Sequence, residues 1–118
     1  MYQITKTLKA LSDPNRLRIL KMLEQKPLCV CEITAVLQLA TSTVSKHLSI
    51  LRDAAFIRDH KDGKWVNYIL KPDNYASDLY PLISAWLKEN AQISADLLQL
   101  GSIDRTQICA ISKSDSTQ

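Results

Sequence analysis

Apolar residues Ile4, Leu8 and Leu11 recur at helical steps, and Ser12-Asp13-Pro14 then supplies a capping residue followed by proline at a first helical position. One helix ends there and a second begins. The second turns Leu17, Leu20 and Leu23 inward, with Ile19 and Met22 widening the stripe. It stops near Pro27, because the residue before a proline is biased away from the α region. A short third helix fits Glu32 to Gln38, with Ile33, Val36 and Leu37 apolar. The link Leu39-Ala40-Thr41 leads into a fourth helix, Ser42 to Asp53, where Val44, Leu48 and Leu51 line one buried face. After it the period drops to two. Phe56 to His60 and Trp65 to Leu70 are rich in aromatic and β-branched residues, and Asp62-Gly63 between them signals a hairpin because its turn needs positive φ. Beyond Pro72, the series Leu79, Leu82, Ile83, Trp86, Leu87, Ile93, Leu97, Leu98 and Leu100 predicts one long amphipathic helix ending at Gly101.

Composition narrows the picture. The 118 residues suit a single domain, and 46% hydrophobic with 23% charged residues is the usage of a folding globular chain. Two glycines and four prolines are too few for a turn-dense sandwich or barrel. The expectation is an α+β fold, mostly α, with the folded domain over residues 1–101 and a mobile, Ser/Thr-rich tail over 102–118. No apolar run approaches the roughly 18 to 20 residues that cross a bilayer, and Met1 to Ala10 lacks the apolar stretch of a secretion signal. No membrane partner is expected, and the working address is the cytoplasm. Net charge is +3, distributed as +4 from Met1 to Pro27, −1 from Leu28 to Ala40, +2 from Thr41 to Lys64 and −2 from Lys71 to Gln118. The positive charge lies in the first half of the chain.

Two helices joined by a short link and followed by a hairpin is the order of a winged helix-turn-helix. The same order fits a small α+β domain without a ligand, so the surface of the fourth helix carries the argument. Opposite Val44, Leu48 and Leu51 stand Ser42, Lys46, Ser49 and Asp53, flanked by Thr43 and Ser45. Small hydroxylated side chains let a helix backbone enter the major groove and contact base edges or phosphates, and a cation neutralises phosphate. His47 lies about 60° off the buried stripe, which suits a half-buried structural residue as well as a DNA contact. His60, Lys61 and Lys64 sit at the hairpin tip, where a phosphate or the minor groove is within reach. His60 has no neighbouring partner for a metal.

Three cysteines, Cys29, Cys31 and Cys109, argue against a disulfide framework and for a reducing compartment. Cys29-Val30-Cys31 offers two thiols to a soft metal or metalloid, at a helix start where the thiolate is favoured. On a regular helix, residues two apart point about 200° away from each other, so binding one ion requires this segment to lie outside regular helix, either already irregular or unwound on binding. Unwinding there disturbs the first helix of the groove-reading pair, which makes the element a candidate switch. Two small buried packing residues, or a strained disulfide, fit the same letters.

From about Ile4 to Leu100 the chain resembles the ArsR/SmtB winged-helix repressors. The carriers are Leu8 to Leu20, Leu28-Cys29-Val30-Cys31-Glu32-Ile33, Thr41 to Leu48, and the wing Asp62-Gly63-Lys64-Trp65-Val66. The resemblance implies a homodimer built from the first and last helices, with two recognition helices on a palindromic operator of double-stranded DNA. It carries DNA contacts to Thr41, Ser42, Ser45 and Lys46, nearly the set read from the helix surface; Thr43, His47, Lys61 and Lys64 complete the candidates. The Leu-Cys-Val-Cys-acidic signature is similar to that of the arsenic- and antimony-responsive members, whose thiolates hold As(III) or Sb(III) and release the operator. Those members often have a third cysteine where this chain has Thr34, so Cys109 enters as a candidate third ligand beside Cys29 and Cys31. The zinc-type site of other members is incomplete here: Asp78, Glu89 and Asp96 occur along the last helix without a histidine. The expected function is a metalloid-responsive repressor with no catalytic cofactor, since no phosphate loop, activated nucleophile or acid–base pair is present. Its rivals are a thiol redox or persulfide sensor of the same fold and a helical protein-interaction module.

Overall fold

The chain runs α1 (Tyr2–Ala10), α2 (Pro14–Gln25), α3 (Val30–Leu37), α4 (Thr41–Asp53), β1 (Ile57–Asp62), β2 (Trp65–Leu70), α5 (Tyr75–Trp86) and α6 (Ala91–Gly101). The structure is a computed structural model and describes residues 1–105 and Ile108. Cys109 and most of the expected tail lie outside the described residues. The described beginning of that stretch is engaged: Ile103 packs against the core and Arg105 reaches Glu32.

Local chemistry sets the helix starts. Asp13 Oδ1 accepts the backbone N–H of Asn15 at 2.8 Å and of Arg16 at 3.2 Å, and Pro14 follows as the first helical residue, where its missing N–H costs nothing. α2 gives way at Lys26, which is fully extended ahead of Pro27. This central helix packs against α3, α4, α6 and β2, so its buried arc is wider than one stripe. Ile19, Leu20 and Met22 are fully buried, whereas Leu17 is only half-buried. Val44, Leu48 and Leu51 of α4 are also fully buried, as their spacing predicts, each contributing about 1.5–3 kcal/mol of apolar burial. α4 ends in a Schellman arrangement: Phe56 N–H donates to Leu51 and Ala55 N–H to Arg52, with Ala55 in the left-handed region at φ 66°.

The hairpin pairs β1 and β2 antiparallel from Ile57 with Leu70 to Asp62 with Trp65. Its two turn residues are therefore Gly63 and Lys64, one position later than the expected Asp62-Gly63, and Gly63 takes the positive φ of 60°. Leu28 adds an isolated bridge to the outer side of β2, exchanging both backbone hydrogen bonds with Tyr68 at 3.1 and 2.7 Å.

The expected long terminal helix is two helices. Leu87 to Asn90 separate α5 from α6, and Asn90 restarts the helix by accepting the Ile93 N–H at 3.1 Å. The apolar series stays in helical phase across the break, which is why periodicity conceals it. α1 and α5 pack on each other, with Thr7, Ala10, Ala76 and Tyr80 buried. Ile4 and Leu8 of α1 and Leu82 and Trp86 of α5 stay exposed, Trp86 at 70%.

Candidate nucleic-acid interface and thiol site

The buried face of α4 fixes what its other face presents. Thr41, Ser42, Thr43, Ser45, Lys46 and Ser49 are all exposed along one helix, so hydroxyls and an ammonium lie together on a surface without large apolar side chains. The helix begins after Ala40, which provides no side-chain cap for its first-turn N–H groups. His47 stands apart from them. It is half-buried, and its Nδ1 lies 3.2 Å from an Arg16 guanidinium nitrogen. Arg16 also donates to the Ala10 carbonyl at 2.8 Å and the Lys9 carbonyl at 3.1 Å, joining the end of α1 to the middle of α4. His60, Lys61 and Lys64 are exposed on the hairpin, and the Lys64 ammonium lies 5.4 Å from the Trp65 ring centroid.

The two thiols occupy the start of α3. Cys29 is the N-cap residue with an extended backbone, φ −90° and ψ 167°, and Val30 and Cys31 are the first helical residues. The helix therefore starts two residues before the expected Glu32. Cys29 forms a capping box with Glu32, whose Oε1 accepts the Cys29 N–H at 3.0 Å. Cys29 is 4% exposed and Cys31 is half-buried. The condition for shared ligation is thus met on one side: Cys29 already lies outside regular helix, Cys31 inside it.

Glu32 is buried, and Arg105 partners it, with Nε 3.1 Å from Oε1. The Arg105 guanidinium also donates to Asn67 Oδ1 on β2 and lies 4.8 Å from the Trp65 ring centroid. Burial works against its charge, but Glu32 and the Cys29 thiol outweigh that and hold the guanidinium above its ordinary pKa. Sequence reading missed Arg105 altogether, because 73 positions separate it from Glu32 and no local pattern joins them. Asn67 was equally silent, a polar residue on the inward side of a strand.

The carboxylates of the last helices are spoken for or apart. Asp96, 2% exposed, receives a bidentate Arg18 guanidinium at 2.8 and 2.9 Å, whereas Asp78 and Glu89 are exposed. Among the described residues no group of three or more His, Cys, Asp or Glu side chains converges on a metal position. Among them, too, no helix is long and apolar enough to cross a membrane.

A winged helix-turn-helix with this surface is matched over residues 13–59 by the family of bacterial regulatory proteins called arsR. The arsenical resistance operon repressor of Escherichia coli (strain K12) is 35% identical over 107 residues, covering 86% of this chain and 92% of that protein. The chain belongs to the ArsR family. It is a transcriptional regulator and not an enzyme. Another relative, the cadmium resistance transcriptional regulatory protein CadC of Listeria innocua, is 42% identical over 64 residues, covering 53% of this chain and 54% of its own. Among solved structures, HlyU from Vibrio cholerae superposes with a TM-score of 0.64 at 28% identity, over 75% of this chain and 95% of that one. The winged-helix ArsR fold is therefore supported by sequence and by shape.

Proposed function

We propose that this chain is a homodimeric repressor that binds operator DNA in the cytoplasm and leaves it when As(III) or Sb(III) is held by Cys29 and Cys31. The observation that carries the reading is the placement of both thiols at the first turn of α3, the helix that packs directly on the recognition helix α4. To share one centre the two sulfurs must come together; Cys29 already stands outside the helix as its extended N-cap, and drawing Cys31 to the same centre loosens the first turn at Val30 and Cys31. A displaced α3 no longer supports α4 in the orientation the groove requires. Thiolates are the donors a soft, trivalent metalloid prefers over a hard-ligand site. The relative from Escherichia coli, named for arsenical resistance and matched along most of its length, favours this effector over cadmium.

On the DNA side, Ser42, Thr43 and Ser45 reach base edges or phosphates, Thr41 sits at the helix start, and Lys46, Lys61 and Lys64 neutralise phosphate. His47 supports α4 from its inner side through Arg16. In the homodimer the exposed Ile4, Leu8, Leu82 and Trp86 of α1 and α5 are covered by the second copy. Cys109 is the candidate third thiolate. Arsenite titrated into protein bound to its own upstream DNA should release it. Cys29→Ser and Cys31→Ser should each keep DNA binding and lose release, and a single variant that still releases refutes the two-thiolate site. Unchanged arsenite affinity in Cys109→Ser would make that residue a bystander. Mass spectrometry of oxidant-treated against arsenite-treated protein separates metalloid capture from a redox or persulfide sensor.

A further inference from the structure

The start of α3 is tied to the wing at two points. One is the backbone bridge between Leu28, the residue before Cys29, and Tyr68 of β2. The other is made of side chains. Glu32 Oε1 receives both the Cys29 N–H at 3.0 Å and Arg105 Nε at 3.1 Å, so one buried oxygen joins the cap of α3 to a guanidinium. The far edge of that guanidinium donates to Asn67 Oδ1, and its face lies 4.8 Å from the centroid of Trp65, at the last pair of the hairpin. Lys64, the exposed cation at the wing turn, lies 5.4 Å from the same ring. A connected path thus runs from the Cys29 backbone through Glu32, Arg105 and Trp65 to the wing cation.

We propose that Arg105 is the positioning residue that passes the state of the Cys29–Cys31 turn to the wing, a role that rests on the thiol-sensing reading above. Unwinding the first turn of α3 breaks the Cys29 N–H bond to Glu32 and moves the carboxylate. A buried carboxylate cannot shift without its cation, because separating the two leaves an uncompensated charge. Arg105 therefore follows Glu32 and leaves Asn67 and the Trp65 face. The wing then loses the support that aims Lys64 at a phosphate. Release of DNA becomes a joint effect on the recognition helix and the wing rather than on α4 alone.

The test uses the full chain with Trp86→Phe, which leaves Trp65 as the single tryptophan, in combination with Arg105→Gln, Arg105→Lys or Asn67→Ala. Three quantities are read for each: arsenite affinity from thiol–arsenic absorbance, DNA affinity with and without arsenite, and Trp65 emission. Arsenite should shift Trp65 emission in the Trp86→Phe protein and leave it nearly unmoved when Arg105→Gln is added. The ratio of DNA affinities with and without arsenite should fall toward the low end of the usual coupling range of about 5- to 150-fold in both Arg105→Gln and Asn67→Ala, while arsenite still binds. Asn67→Ala keeps the Glu32–Arg105 pair, so its outcome does not depend on Arg105→Gln folding well. Arg105→Lys should restore the pairing with Glu32 but not the emission shift, since an ammonium cannot pair with Glu32, donate to Asn67 and cover the ring at once. Full arsenite-driven release with an unaltered emission shift in both Arg105→Gln and Asn67→Ala overturns the role of Arg105 and leaves the sensing reading intact. No arsenite binding to the unsubstituted chain sinks the sensing reading, and the coupling with it.

Discussion

Arg18→Ala is the most demanding test of how the fold is held. Arg18 Nε lies 2.8 Å from Asp96 Oδ2 and its second terminal nitrogen 2.9 Å from Oδ1, a bidentate pair joining α2 to α6. Asp96 is 2% exposed; its other partner is Gln92 Nε2 at 2.9 Å, and Arg18 is further fixed by Asn15 at 3.1 Å. The hydrogen bond and charge of Asp96 outweigh burial and hold the guanidinium above its ordinary pKa, the direction expected of a working pair. Removing Arg18 leaves a buried carboxylate with one neutral donor, which costs about 3–5 kcal/mol for a buried pair broken on one side. In a chain of this size that lowers the melting midpoint on the order of 10 °C or more. Urea unfolding at fixed protomer concentration measures it, the concentration being held because a dimer's stability depends on it. Replacing both partners, as Arg18→Met with Asp96→Leu, should recover most of the deficit, since no charge is then left buried. If Arg18→Ala costs less than about 1 kcal/mol, or the double substitution is worse than the single, the pair is solvated and the clamp argument fails.

Three further outcomes follow from the geometry. Ser42→Ala and Ser45→Ala should weaken operator binding by about 1–3 kcal/mol for each base-edge hydrogen bond removed and change binding to random DNA much less; equal weakening on both DNAs would remove their readout role. Ala55→Gly should raise stability by about 1 kcal/mol, because Ala55 occupies the left-handed position of the Schellman arrangement at the end of α4, where a Cβ is strained. A lowered unfolding midpoint in that variant would contradict the strain argument. Burial works against the Glu24 charge, but hydrogen bonds from Tyr80, Ser84 and Lys21 prevail and its carboxyl titrates below the usual range. A carboxyl depressed in the folded state contributes stability above its unfolded pKa of about 4.3 and loses it as pH falls through the folded value. The advantage of the natural chain over Glu24→Gln should therefore be full near neutrality and vanish in acid, and a difference independent of pH would show that the charge is not involved.

The elements that were legible from the letters alone share a local cause. Asp13-Pro14 starts α2 through a cap two and three residues away, Val44, Leu48 and Leu51 repeat along a single helix, and Gly63 supplies a turn whose flanking residues pair with each other. Each needs only neighbours in sequence. The exposed hydroxyl face of α4 was legible for the same reason, since burying one side of a helix exposes the other. Misreadings arose where a second element intervened. The break at Leu87 to Asn90 leaves the apolar phase intact, and the turn moved one residue because pairing across the hairpin, rather than the dipeptide, set the register.

The order of elements, the exposed hydroxyl face of α4 and the close spacing of Cys29 and Cys31 were therefore determined by the chain's own periodicity and by residue chemistry over a few positions. Which of the remaining polar residues matter was decided by folding. Arg18 with Asp96, Arg16 with His47, and Arg105 with Glu32 and Asn67 join residues 31 to 78 positions apart, and each becomes important because packing removes water from around it. A charge in water has no preferred partner, whereas a buried one must find a counterpart, and where that counterpart stands is a property of the assembled fold.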